Sequence, residues 1–162
     1  MHRAALLSIA ALMSIATPAF AADQHVAGAD DFARYVQTFN STDPSFVDFY
    51  APDIVFDKGS EDGVLVGRQA IAEWYARIWQ DVDETLTPLT VAIDREAQVM
   101  MVELRTELVA KRDGLVWRGR TYRKGDRLVV DGTIVYGLGN GQIQSIRGAA
   151  EGRQVIPVGS EG

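Results

Sequence analysis

The stretch Phe49–Trp79, FYAPDIVFDKGSEDGVLVGRQAIAEWYARIW, decides the fold. A short helix ends where Pro52 withholds a backbone donor. Ile54, Val55 and Phe56 then make a brief apolar strand, and the polar segment from Asp57 to Gly63 reads as a loop. Val64, Leu65 and Val66 form a second short strand before Gly67 opens a helix. In that helix Ile71, Trp74, Tyr75, Ile78 and Trp79 recur at helical spacing, so one face is apolar. Burying five such side chains contributes on the order of 10 kcal/mol before ordering entropy is subtracted. Such a face needs a broad apolar surface to lie on, and the later chain supplies a sheet.

Upstream, Asp30 caps a helix whose Phe32, Tyr35, Val36 and Phe39 share a face. Asp43 caps a shorter helix with Pro44 in its first turn and Phe46, Val47, Phe49 and Tyr50 on its buried side. Downstream, the period changes from 3.6 to 2. Leu89, Val91 and Ile93 alternate with polar or small residues, which predicts a strand. After a turn at Asp94 to Gln98, a long strand runs from Val99 to Lys111. Met100, Val102, Leu104, Thr106, Leu108 and Ala110 share one of its faces; Met101, Glu103, Arg105, Glu107 and Val109 share the other. Arg112-Asp113-Gly114 is a hairpin signal, and Trp117 to Arg123 reads as a third strand. Leu128 to Leu138 is the fourth, and Gly139-Asn140-Gly141 turns it into a last strand, Gln142 to Ala149. Helices first and an antiparallel meander after them make an α+β fold, with helices packed on one side of a curved sheet. Such a sheet encloses a conical cavity suited to a small ligand.

The first 21 residues stand apart from this domain. A positive start at His2 and Arg3, an apolar run from Ala4 to Ala16 and the small-x-small site Ala19-Phe20-Ala21 read as a secretory signal cut after Ala21. The expected division is therefore signal 1–21, flexible leader 22–28, domain 29–152 and loose tail 153–162, with a periplasmic or secreted destination. No later stretch approaches membrane length. The 162 residues include no cysteine, and losing Arg3 with the signal moves the formal charge from −6 to −7. An acidic chain with no basic run is a poor partner for nucleic acid or an anionic membrane. After cleavage His25 is the one histidine, which argues against a His-based metal site and against Ser-His or Cys-His nucleophile pairs. The loop Asp57 to Gly63 lacks the spacing of a calcium loop. No metal and no cofactor are expected, so proton chemistry falls to carboxylates, Tyr, Lys or water.

Ala33-Arg34-Tyr35-Val36, Phe49-Tyr50-Ala51-Pro52-Asp53, Phe56-Asp57, Gly67-Arg68-Gln69-Ala70-Ile71 and Gly141-Gln142-Ile143-Gln144-Ser145-Ile146-Arg147 occur in this order. In this the chain resembles the nuclear transport factor 2-like superfamily, specifically its SnoaL-like and ketosteroid-isomerase-like members. The resemblance covers nearly all of residues 22–162 and implies a cone-shaped roll. Its members include isomerases, cyclases, dehydratases and non-catalytic binding domains, so the fold does not choose among them. In the steroid isomerases a Tyr and a protonated Asp hold an oxyanion while another Asp is the base. The resemblance places Tyr35 as the oxyanion donor. Counted strictly from Tyr50-Ala51, Lys58 takes the base position; a one-residue shift restores Asp57. The second acid falls near Thr133 to Val135, where none exists, and Asp131 is the closest on the same strand face.

Each candidate has a plainer reading. Tyr35 can be a core aromatic with a satisfied hydroxyl, Asp57 a solvated loop residue, and Asp131 a surface acid. Glu103 and Arg105 either line a polar cavity or form the solvated face of the sheet with cross-strand ion pairs. Trp74 and Trp117 are pocket candidates or core and dimer-interface residues. Two functions stay open: a domain binding a small apolar molecule and moving a proton on it, or a binding or dimerisation module without chemistry. A homodimer through the sheet belongs with either.

Overall fold

A computed structural model describes residues 25–59, 63–117 and 119–160. The expected signal lies outside them. Helix α1 spans Ala29–Asn40 and presents Phe32, Tyr35, Val36 and Phe39 to the interior, as their spacing predicts. Its cap is Gly28 rather than Asp30. Asp30 and Asp31 both sit in the first turn, where the helix dipole favours acids, and Ala27 N–H donates to Asp31 Oδ2 at 2.8 Å. A 3₁₀ turn follows at Pro44–Phe49; Ser45 N–H donates to the Asp43 carboxylate, so the expected Asp43 cap is present.

Strand β1 (Tyr50–Asp57) begins directly after that turn, so Pro52 lies within a strand and terminates no helix. It is tolerated because β1 is unpaired between Tyr50 and Val55, and its missing donor breaks no ladder bond. Strand β2 is Val64–Val66, and helix α2 runs Arg68–Asp81. Gly67 starts α2 at φ +89°, a conformation that favours glycine, with its N–H donating to Ile54 O at 2.7 Å. Ile71 and Tyr75 are buried, but Trp74, Ile78 and Trp79 are only half-buried. Trp74 and Ile78 are half-buried because they border a cavity.

The remaining strands are β3 (Val82–Asp94), β4 (Val99–Ala110), β5 (Leu115–Trp117), β6 (Arg120–Tyr122), β7 (Arg127–Gly139) and β8 (Gln142–Ile156). β3 starts at Val82 rather than Leu89; a register shift between Pro88 and Thr90 masks its alternation from the sequence. The expected third strand is instead a separate two-stranded hairpin, β5–β6, outside the main sheet. β8 continues to Ile156 paired with β7, so the segment beyond Gly152 extends the sheet. In the expected flexible leader, Val26 is fully buried and its N–H donates to Gly141 O at 2.5 Å.

The main sheet has six strands in the order β2-β1-β8-β7-β4-β3, and its one parallel pair is β1–β8. This is the α+β architecture of a curved sheet with few helices. Met100, Val102, Leu104 and Leu108 of β4 face the concave side and are buried, while Met101, Glu103 and Arg105 on the convex side are exposed. Concave side chains form two clusters. The larger is dominated by aromatic rings from α1, the 3₁₀ turn and α2; Phe39 packs edge-on against Phe46 at 5.3 Å and Tyr75 at 4.9 Å. The smaller gathers Val82, Leu108, Tyr122 and Leu128, with Leu115 and Trp117 of the hairpin packed on it.

Candidate functional site

Between the two clusters the concave face forms a half-open cavity of about 620 Å³. Its apolar walls are built by strand alternation. Leu104 and Leu108 come from β4, Leu128, Val130 and Ile134 from β7, and Ile146 from β8. Gly148 and Ala150 keep the β8 side of the floor low, and a Cβ at Gly148 would strike Ile134 at 2.3 Å. From α2 come Trp74, Tyr75 and Ile78, and the hairpin contributes Leu115, Val116 and Trp117. Trp74 and Trp117, singled out from the sequence, therefore both border the cavity.

The other candidates do not converge there. Tyr35 is buried in the larger cluster, outside the cavity lining, and its hydroxyl shares a 2.8 Å hydrogen bond with the Tyr50 hydroxyl. Burial raises both phenols well above their ordinary range, with each hydroxyl acting on the other. Asp57 borders the cavity at the end of β1, but it is exposed and its Oδ1 accepts from Gly59 N–H at 2.9 Å. Alternation explains the position: Phe56 pairs with the inward Ile146, whereas Asp57 pairs with Arg147 on the opposite face. Lys58 is then the inward residue, as strict counting from Tyr50-Ala51 predicts. It is half-buried, borders the cavity and places Nζ 4.8 Å from the centre of the Trp74 ring.

Asp131 lies on the convex face. Arg105 grips it with two charge-assisted hydrogen bonds, Nε to Oδ1 at 2.8 Å and Nη2 to Oδ2 at 2.9 Å. Those bonds hold the Asp131 carboxyl below the usual carboxylate range. Glu103 accepts from Thr90 Oγ1 at 2.7 Å on the same exposed face. Glu103 and Arg105 thus belong to the solvated cross-strand network and not to the concave cavity, because odd positions of β4 point outward. Arg105 borders a second, open hollow on the convex face with Glu107, Arg127 and Asp131.

Glu84 is the residue the sequence reading missed. It lies between Val82 and Leu86 on the inward face of β3, opposite Leu108 of β4, and it borders the cavity. Although the residue as a whole is half-buried, desolvation of its carboxyl pushes its pKa up to about 7. Tyr75, also lining the cavity, has its phenol raised by burial first and by the Glu84 charge second. Asp81, which with Asp57 lies at the cavity's edge, is held by Arg112, whose Nε donates to it at 2.6 Å. The signal for Glu84 was present as Val82-x-Glu84-x-Leu86, two apolar residues flanking an acid at strand spacing. A carboxyl that titrates near pH 7 inside an apolar wall can give or take a proton, and the Tyr75 phenol and the Thr106 hydroxyl line the same cavity. Among the described residues no group of three His, Cys, Asp or Glu side chains is placed to hold a metal ion, and no helix is long and apolar enough to cross a membrane.

The fold is shared with many solved structures. A candidate polyketide cyclase from Xanthomonas campestris pv. campestris aligns at TM-score 0.62 and 22% identity, over 72% of this chain and 84% of that one. Δ5-3-ketosteroid isomerase from Mycobacterium sp. aligns at 0.60 and 15% identity, over 77% and 95%. A computationally designed binder of 17-OHP aligns at 0.60 and 14%, over 77% and 92%. At such identities the likeness establishes the fold alone, and a cyclase, an isomerase and a binder share it. No curated protein matches the sequence. Residues 32–146 match the SnoaL-like domain, and the chain belongs to that family.

Proposed function

We propose that this SnoaL-like domain binds a small, largely apolar molecule in its cone and moves a proton on it, with Glu84 as the group that holds the proton. The observation that carries this reading is the placement of Glu84 on an inward, apolar strand face bordering a cavity of drug-ligand size. The Tyr75 hydroxyl is the neighbouring donor for oxygen on which negative charge develops. The reaction class is enolisation next to a carbonyl, as in an isomerisation, cyclisation or dehydration. Tyr35 acts at one remove, anchoring Tyr50 behind the wall.

The test is deuterium incorporation at C1 of 2-tetralone, followed by NMR at pH 7. The parent should accelerate exchange, and Glu84→Gln should lose about a hundredfold of that acceleration. If 2-tetralone binds and exchanges no faster than in buffer, the domain is a binding module using the same cone. Export belongs to the same proposal, motivated by the N-terminal sequence; N-terminal sequencing of the protein from its native envelope should begin at Ala22. Pairing of two copies through the convex face completes it. Met101 is half-exposed there among the charged side chains, and sedimentation equilibrium should show a dimer that Met101→Asp weakens.

A further inference from the structure

The cavity edge carries cations whose role the proton chemistry leaves open. Lys58 turns inward from the end of β1, above the Trp74 ring. Arg153 pairs in register with Val130, an inward residue of β7, and lies at the sheet's edge, where it borders both the cavity and the convex hollow beside Asp131 and Glu107. Among the described residues neither one has a carboxylate within ion-pair distance. The two edge acids are engaged elsewhere, Asp81 by Arg112 and Asp57 by the Gly59 N–H. An acidic protein has thus set, at the edge of a largely apolar hollow, two cations that no carboxylate among the described residues pairs with. The base position implied by the isomerase resemblance is itself occupied by one of them, Lys58. An ammonium over an indole keeps its charge available while the ring restrains its stem, which suits it to meet an anion.

We infer that the ligand of this cavity is an amphipathic anion: an apolar, ring-sized body with one ionised carboxylate, sulfonate or phenolate group held at the edge by Lys58, with Arg153 as the second cation. The inference rests on the cone being the binding site. In it the apolar body lies between Trp74 and the walls of β4 and β7, and its far end points towards Glu84. The anion stays with Lys58, away from the Glu84 carboxyl.

Two fluorescent probes with one ring system test this. 8-Anilinonaphthalene-1-sulfonate carries a sulfonate, and N-phenyl-1-naphthylamine lacks it. The parent should bind the sulfonate about tenfold more tightly at low salt, with the preference shrinking as salt is added. Lys58→Gln should lower the ratio of the two dissociation constants about tenfold, and Arg153→Gln by less because it is exposed. Lys58→Glu should reverse the preference. Equal affinity for both probes in the parent, or a ratio unmoved by all three substitutions, overturns the anionic ligand while leaving the cavity reading intact. Ala150→Trp, checked for folding by circular dichroism, should abolish binding of both probes. If binding persists in that variant the probes sit elsewhere, and the cavity reading falls together with this inference.

Discussion

The concave and convex faces of the same sheet treat a carboxylate in opposite ways. Asp131, outward on β7, is gripped by Arg105 and held below the ordinary carboxylate range. Glu84, inward on β3, meets apolar wall and is pushed up to about 7. A carboxylate therefore becomes a fixed surface charge or a titrating group near neutrality, according to the direction of one Cβ. A related contrast separates neighbours at the end of β1: Asp57 is exposed and held by the Gly59 N–H, whereas Lys58, just past the strand, is half-buried over the Trp74 ring. Chemistry in this domain follows the strand face more closely than it follows residue identity.

The largest expected effect lies on the packed part of the concave side. Phe39 is fully buried among aromatic rings, and Phe39→Ala should cost about 3–5 kcal/mol in urea unfolding. A loss below 1 kcal/mol would mean that this cluster does not hold the helices to the sheet.

Glu84 should give the next effect, and it depends on pH. Its folded-state value lies above the ordinary one near 4.5, so between pH 4.5 and about 7 the folded protein binds the extra proton. Stability then falls as pH rises through that window and levels off above it, by up to about 3 kcal/mol. Glu84→Gln should flatten the profile and be the more stable protein at pH 8. Identical profiles would place the carboxyl in water.

Trp74→Ala should cost about 1–2 kcal/mol, less than a fully buried aromatic, because its ring already borders open space. Should it match Phe39→Ala, the cavity is smaller than described. The smallest effect belongs to the convex face. Asp131→Asn should shift the melting temperature barely above error at neutral pH, with the shift disappearing in 1 M salt and below the ordinary carboxylate range. A large loss would reveal that the face is covered, for example by a second copy.

Periodicity was enough for α1, α2, β4 and β7, since each keeps one period over many residues. It failed where the backbone breaks step. Pro88 and the shift beside it hid the first half of β3, and Glu84 with it. Pro52 marked a helix end by propensity, whereas the local pairing of β1 let it sit in a strand. The hairpin β5–β6 looked like one strand because short strands leave too few residues to show alternation.

From the sequence alone follow the family resemblance, most of the order of elements and the acidic character, with Trp74 and Trp117 as candidates that could be pocket, core or interface residues. These are local or ordered features, written in spacing and composition. The tertiary structure decided which charges meet the cavity: Glu84, Lys58 and Arg153 border it, Asp57 and Asp81 sit at its edge engaged elsewhere, and Glu103, Arg105 and Asp131 face outward. Register sets that assignment, and register depends on pairing between segments far apart in the chain. A shift of a single residue in β3 would exchange that strand's two faces and turn Glu84 away from the cavity.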